Sequence, residues 1–238
     1  RTAPVSAERV AVVIPVRGDA GPLAELLGRL GGEPDERIVV SAGDDPAVAT
    51  VCRETGARCL TARPGRGTQQ HAGALAAQSE WLWFLHADAL PSPGSARRIR
   101  QAGRAGAVGG YFRFRFQGRQ TLGRGLLAAL INLRARYGVP YGDQGLFFRR
   151  DVYLACGGYP DEPLFEEVRL VRCVRRRGRF ASLPVPLGVS PRRWERDGWV
   201  RRTLGNRLLA LGYAMGISPR RLARLYQNGS ENRLTRQI

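Results

Sequence analysis

Five short stretches of the chain carry side chains whose types and spacing suit chemistry on an anionic, hydroxylated ligand. His86-Ala87-Asp88 follows directly on the apolar run Trp81 to Leu85. A carboxylate there can ligate a hard divalent cation, Mg²⁺ or Mn²⁺, together with a diphosphate; an Asp in a loop also serves as a turn residue or cap. Arg63 to Gln70 (RPGRGTQQ) is a Gly- and Arg-rich loop ahead of a helix, where backbone amides and a guanidinium suit a phosphate. It is no P-loop, because the spacing differs and Lys is absent, and no dinucleotide fingerprint, because it follows the third strand. Gly142-Asp143-Gln144-Gly145 either makes a turn or offers Asp143 and Gln144 to a hydroxylated ligand. Glu166-Glu167 opens a helix, where acids complement the positive end. Either acid is also a candidate general base, since the adjacent carboxylate raises its pKa. In Arg192-Arg193-Trp194 the paired guanidinium groups suit a departing diphosphate, and the indole suits a sugar or base.

These residues need elements to hold them. Val10 to Val16 is a continuous apolar, β-branched run, as in a buried parallel strand. Further strands are expected at 37–41, 57–61 and 81–85. Helices follow each, at 21–30, from the Asp45-Pro46 cap to Gly56, at 68–78, and after a cap at Ser92-Pro93. Four rounds of strand and helix predict a parallel sheet with helices on both faces. Ligands bind beyond the carboxyl ends of such strands, so the loops after Val16, Ser41, Thr61 and Leu85 are the expected site. Beyond residue 105 the pattern changes. Gly109 to Gln117 alternates aromatic residues with Arg, as in a strand with one wet face. Helices are expected at 121–137, 163–177, 197–215 and 218–226, a short strand at 146–149, and an extended Pro-rich segment at 183–190.

The chain has 238 residues and a formal charge of +18, with all 38 basic residues Arg. Residues 1–90 hold 9 Arg and 11 acids, a net of −2; residues 91–238 hold 29 Arg and 9 acids, a net of +20. The second half therefore attracts anions such as phosphates, anionic lipid headgroups or nucleic acid. Cys52, Cys59, Cys156 and Cys173 show no zinc-ligand spacing, and reduced thiols are the simplest expectation. There is no leader pattern and no run of about 18 apolar residues. The expected location is the cytoplasm or the inner face of the cell membrane. The Leu-rich stretch from Trp199 to Met215 is expected to pack on the domain or on a partner subunit. Lying on a bilayer is the alternative.

Taken in order, VVIPVRG, GRGTQQHAGA, WLWFLHADAL, GDQGLFFRR, LFEEVRL, PRRWERDG and LLALGYAMGISPRRLARLY resemble glycosyltransferase family 2, which has the GT-A fold. The likeness is nearest to the bacterial subgroup described as transferase 2, radical-SAM/selenodomain-associated, and it covers residues 9 to 226. The resemblance implies one α/β domain with a mostly parallel sheet. Its nucleotide-sugar half would be 9–104, its acceptor half 105–194 and its C-terminal helices 195–226, followed by a flexible tail, 227–238. It implies a UDP or GDP sugar as donor and a hydroxyl acceptor, lipid-linked or anionic among the alternatives. Pro15, Val16 and Arg17 would line the nucleotide pocket, with Ser41 and Asp44 near the base and Arg66 and Gln69 near the phosphates. Asp88 would be the remaining carboxylate of a D-x-D metal site, with His86 beside it. Asp143 and Gln144 would face sugar and acceptor, Glu167 would be the base beside Glu166, and Arg193 and Trp194 would end a Q-x-x-R-W element.

The chain departs from that pattern in places. His86 replaces the first Asp of D-x-D, Ser41 stands where many members have Asp, Glu167 replaces Asp, and Ser190 replaces Gln. The expected reaction is a single displacement with inversion at the anomeric carbon, assisted by Mn²⁺ or Mg²⁺. A nucleotidyltransferase would place its phosphate loop after the first strand, where this chain reads PVRGDAGP. A catalytically silent protein that binds a nucleotide sugar or nucleic acid is the other alternative, with nucleic acid the less favoured ligand. A homodimer is left open.

Overall fold

The computed structural model describes residues 8–231. Strand β1 (Val10–Val16) is buried along its length apart from half-buried Pro15. It pairs in parallel with β2 (Glu36–Ser41) and β4 (Trp81–Phe84), and β2 pairs in parallel with β3 (Arg58–Thr61). Helices α1 (Ala20–Leu30), α2 (Pro46–Thr55), α3 (Arg66–Ala76) and α4 (Ser95–Arg104) connect or follow these strands. The α2 ends behave as the sequence predicts. Asp45 accepts hydrogen bonds from the amides of Ala47 and Val48, at 3.0 and 3.1 Å, and Gly56 closes the helix at φ 66°. The small residues of α3 let it lie close to the sheet. A Cβ on Gly73 would stand 3.0 Å from Val40 and closer still to Val13.

The second half completes the sheet with β5 (Leu90–Pro91), β6 (Ala107–Phe116), β7 (Phe147–Arg149) and β8 (Arg179–Val189). The order is β3-β2-β1-β4-β7-β6-β8-β5. β7 runs antiparallel between β4 and β6, β8 runs parallel to β6, and β5 antiparallel to β8. The sheet is thus mixed, and its parallel run is the part that the strand–helix alternation foretold. One face is covered by α1, α2 and α4 through Leu23, Leu26, Val48 and Ile99. The other is covered by α3, α6 (Arg150–Ala155) and α7 (Glu166–Arg177) through Ala74, Tyr153, Leu170 and Val171. A third cluster joins Phe114 and Phe116 of β6 to α5 (Leu122–Tyr137), α8 (Arg192–Asp197) and α9 (Trp199–Ala214) through Leu127, Ile131, Trp194 and Trp199.

Several expectations need correction. α3 begins at Arg66 rather than Thr68, and α7 at Glu166 rather than Pro163. Gly94, not Ser92, precedes α4, because the Ser92 hydroxyl donates instead to the Pro186 carbonyl at 2.7 Å. Cys156 and Cys173 form a disulfide with a Cα–Cα distance of 5.8 Å, tying the end of α6 to α7; Cys52 and Cys59 are free. The apolar stripe of α9 does not pack on the domain, since Val200, Leu204, Leu208 and Leu211 are exposed. The last helix, α10 (Pro219–Glu231), continues five residues into the expected loose tail. The remainder of that tail, 232–238, lies outside the described residues. Among the described residues no helix is long and apolar enough to cross a membrane.

Candidate functional site

The parallel strands end at a cavity of about 650 Å³. Pro15 from β1 and His86 and Asp88 after β4 form one wall. Arg66 at the first residue of α3, a 3-10 turn over Gly142–Gln144, and Phe165 and Glu167 at the start of α7 form the next. Arg193 and Trp194 of α8 line the cavity as well. Leu127, Ile131 and Arg134 of α5 and Thr203, Asn206 and Arg207 of α9 complete the lining.

Burial and neighbouring charges set the protonation of this cavity. Glu166 is only 2 % exposed and forms an ion pair with the guanidinium of Arg66. Burial alone would lower the pKa of Arg66, but Glu166 and then Glu167 raise it, so Arg66 stays a cation. The Glu167 carboxyl is pushed up to about 8, first by burial and then by the charge of Glu166, against the pull of Arg66. Its Oε2 is buried with no hydrogen-bond partner. Burial likewise raises Asp143, although Arg134, Arg66 and Arg193 all oppose the shift. His86 is pushed down to about 3 by burial and by the positive charges of Arg66 and Arg193. Its imidazole is therefore neutral, with Nε2 3.6 Å from where a Cβ on Gly142 would stand.

The backbone is strained at one point on this wall. Phe165 has φ 60°, and among the described residues no other non-glycine is left-handed. Its ring stacks on Tyr213 of α9 with centroids 4.8 Å apart and meets Tyr141 edge-on at 5.8 Å. The guanidinium of Arg134 lies 3.7 Å over the Tyr141 ring. These contacts link α5, α7 and α9 around the cavity. Strain of this kind persists where the surroundings impose it.

Solved structures share this architecture. S. aureus TarS 1–349 superposes with a TM-score of 0.61 at 13% identity, over 77% of this chain and 61% of that one. Glucosyl-3-phosphoglycerate synthase from Mycobacterium tuberculosis, in complex with Mn²⁺, UDP and glucosyl-3-phosphoglycerate, gives 0.57 at 18% identity, over 76% and 71%. The fold is that of the GT-A glycosyltransferases. A further TarS 1–349 structure, in complex with UDP-GlcNAc, gives 0.57 at 13% identity over 76% of this chain and 58% of that one. The chain therefore spans less than two thirds of TarS 1–349. No family model matches the chain, and no curated protein does.

Within this GT-A fold, eight of the residues singled out in the sequence share the cavity: Pro15, Arg66, His86, Asp88, Asp143, Glu167, Arg193 and Trp194. Gly142, Ser190 and Arg192, also named there, line it too, whereas Val16, Arg17, Ser41, Asp44, Gln69, Gln144 and Glu166 do not. Val16 and Ser41 are register partners at the ends of β1 and β2 and are buried, while Arg17 and Asp44 are exposed on the loops that follow. Gln69 braces the sheet instead, donating from Nε2 to the carbonyls of Val16 and Val40 at 2.9 and 2.7 Å. Gln144 is wholly buried, with neither amide atom hydrogen-bonded. Glu166 holds Arg66 from behind. Trp194 contributes to the lining but packs mainly on Phe116, at 5.1 Å, and Trp199, at 6.4 Å. Arg134, Tyr141, Phe165, Asn206 and Arg207 were not foreseen. The only sequence signal for them was polar residues set into otherwise apolar helices, as Asn206 and Arg207 are in TLGNRLLAL.

Proposed function

We propose that this chain is an inverting glycosyltransferase of family 2, nearest to the radical-SAM/selenodomain-associated subgroup. It would move a sugar from a UDP or GDP sugar to an acceptor hydroxyl. The observation that carries the reading is a buried carboxyl, Glu167, raised toward neutral pH and lining one cavity with Arg66 and Arg193. A general base works best with a pKa near the operating pH.

The donor diphosphate lies against Arg66 and Arg193, with the nucleotide extending over Pro15 toward the ends of β1 and β2. There Arg17 and Asp44, exposed on the loops that follow buried Val16 and Ser41, meet the base and ribose. Asp143 and Tyr141 border the sugar. Glu167 accepts the proton of the acceptor hydroxyl as its oxygen bonds to the anomeric carbon. The bond from that carbon to the diphosphate breaks on the opposite side, and the nucleoside diphosphate departs with the electron pair. The arginines stabilise the charge that develops there.

The residues present fit a divalent cation held jointly with the donor. Among the described residues no cluster of three or more His, Cys, Asp or Glu forms a metal site. Exposed Asp88 and the neutral His86 imidazole would supply two ligands, and diphosphate oxygens others. An imidazole ligand suits Mn²⁺ better than Mg²⁺. Such a cation would neutralise charge on the departing diphosphate.

Titration calorimetry with UDP and GDP sugars, with and without Mn²⁺, tests the reading on the parent and on Asp88→Ala. Binding that needs Mn²⁺ and is lost in the variant is expected. Binding indifferent to both would overturn the metal's part, and no binding of any nucleotide sugar would overturn the donor site.

A further inference from the structure

Helices α5 and α9 both wall the cavity, and both are apolar on the side turned away from it. Leu122, Leu126, Leu130 and Leu133 of α5 are exposed, Leu122 by 96 %. Val200, Leu204, Leu208 and Leu211 of α9 are exposed as well, Val200 by 82 %, and Met215 follows them. Each helix buries a single residue fully, Ala135 in α5 and Gly212 in α9. An apolar helix face belongs against protein or against lipid. An exposed apolar surface of this extent marks a contact site.

The charge around these leucines selects the occupant. Residues 118–142 and 198–230 together hold ten Arg and no Asp or Glu. Arg119 and Arg136 on one side, and Arg201, Arg220, Arg221 and Arg224 on the other, are exposed. A second copy of the chain would bring an equally cationic face against this one. An anionic lipid surface meets both features, taking leucines into its acyl boundary and arginines onto its headgroups.

We propose that α5 and α9 dock the protein on an anionic bilayer and hold the cavity at that surface. The docking rests on exposure and charge alone. That the cavity there receives an acceptor anchored in the same bilayer rests on the glycosyltransferase reading.

Vesicle flotation of the full chain tests the docking without any donor, using phosphatidylcholine vesicles with and without phosphatidylglycerol at low and high salt. Phosphatidylglycerol-dependent flotation, weakened by salt, is expected, because each surface Arg multiplies partitioning by about fivefold at low salt. Leu126→Glu with Leu130→Glu, and Leu204→Glu with Leu208→Glu, should each cut partitioning by at least about tenfold per leucine. None of these four residues lines the cavity, so the variants should unfold at the parent's temperature and bind nucleotide sugar as the parent does. Absence of flotation on phosphatidylglycerol vesicles, or flotation unchanged in both leucine pairs, would overturn the proposal. So would a dimer in light scattering that either leucine pair dissolves, which would assign the face to a second copy. Failure of nucleotide-sugar binding in the parent, with flotation intact, would overturn the donor site and leave the docking standing.

Discussion

Replacing Glu167 by Gln should separate activity from stability, moving them in opposite directions. The buried carboxyl carries a pKa of about 8, so only about a tenth of it is ionised at pH 7 and about a hundredth at pH 6. If this group takes the acceptor proton, kcat should rise nearly tenfold per pH unit from 6 to 7 and level off above 8. Glu167→Gln should lower kcat by about 10²- to 10⁴-fold, with donor affinity nearly unchanged. Stability follows the other sign. The folded pKa lies above the unfolded value near 4.5, so the native state binds the extra proton. The contribution of Glu167 is fully present below pH 4.5 and is lost as pH rises through about 8. Gln cannot ionise, so the variant should be more stable relative to the parent at pH 9 than at pH 5. Initial rates with a soluble acceptor analogue, from pH 5.5 to 9.5, and thermal unfolding at both ends of the range read the two effects. A flat rate profile through pH 6–8, or a variant keeping more than about a tenth of kcat, would refute the assignment.

Two further substitutions probe the same cavity. Glu166→Gln removes the partner of Arg66 and should weaken donor binding through that guanidinium. It should also lower the unfolding temperature by a few degrees, since a buried charge-assisted bond is lost while Arg66, 37 % exposed, keeps some water. Unchanged donor affinity would show that Arg66 does not meet the diphosphate. His86→Asp replaces an imidazole that is neutral throughout the physiological range by a second carboxylate and should tighten Mn²⁺ in the presence of UDP by about tenfold or more. Calorimetry reads this directly, and an unchanged Mn²⁺ affinity would remove position 86 from the metal shell.

What could be read in the sequence follows from how local each signal is. The run VAVVIPV can be little other than a buried strand, and Asp45-Pro46 with Gly56 marks both ends of α2. The eight cavity residues read in advance stand next to strand ends or helix starts, which the sheet must bring together. The strand β7 was expected at 146–149, but its antiparallel place between β4 and β6 could not be read, because its partners are set by tertiary pairing. Gln69 was misread for a related reason. A polar residue one turn into a helix looks ready for a ligand, yet its amide is used by carbonyls that only the folded sheet brings near. Phe165 gave no signal, since its left-handed backbone follows from contacts with Tyr213 and Tyr141, distant in sequence. The exposed row of α9 was assigned to packing because periodicity reports that a face is apolar and is silent about what covers it.

The placement of His86 and Glu167 around Arg66 suggests how charge and proton transfer are timed in the proposed reaction. Before the donor binds, Arg66 lowers the proton affinity of Glu167 while burial and Glu166 raise it. A diphosphate drawn to Arg66 offsets part of that positive charge, and the negative charge grows as the bond to the sugar breaks. The proton affinity of Glu167 then rises as the acceptor oxygen gives up its proton. An Asp at position 86 would add a fixed negative charge on this side of the cavity, whereas the neutral imidazole adds none. The departure at His86 therefore lowers the charge that a cation must offset and leaves Arg66 and Arg193 a larger share of the work. Chelation of divalent ions should therefore weaken donor binding and lower the rate together, and added Mn²⁺ should restore both.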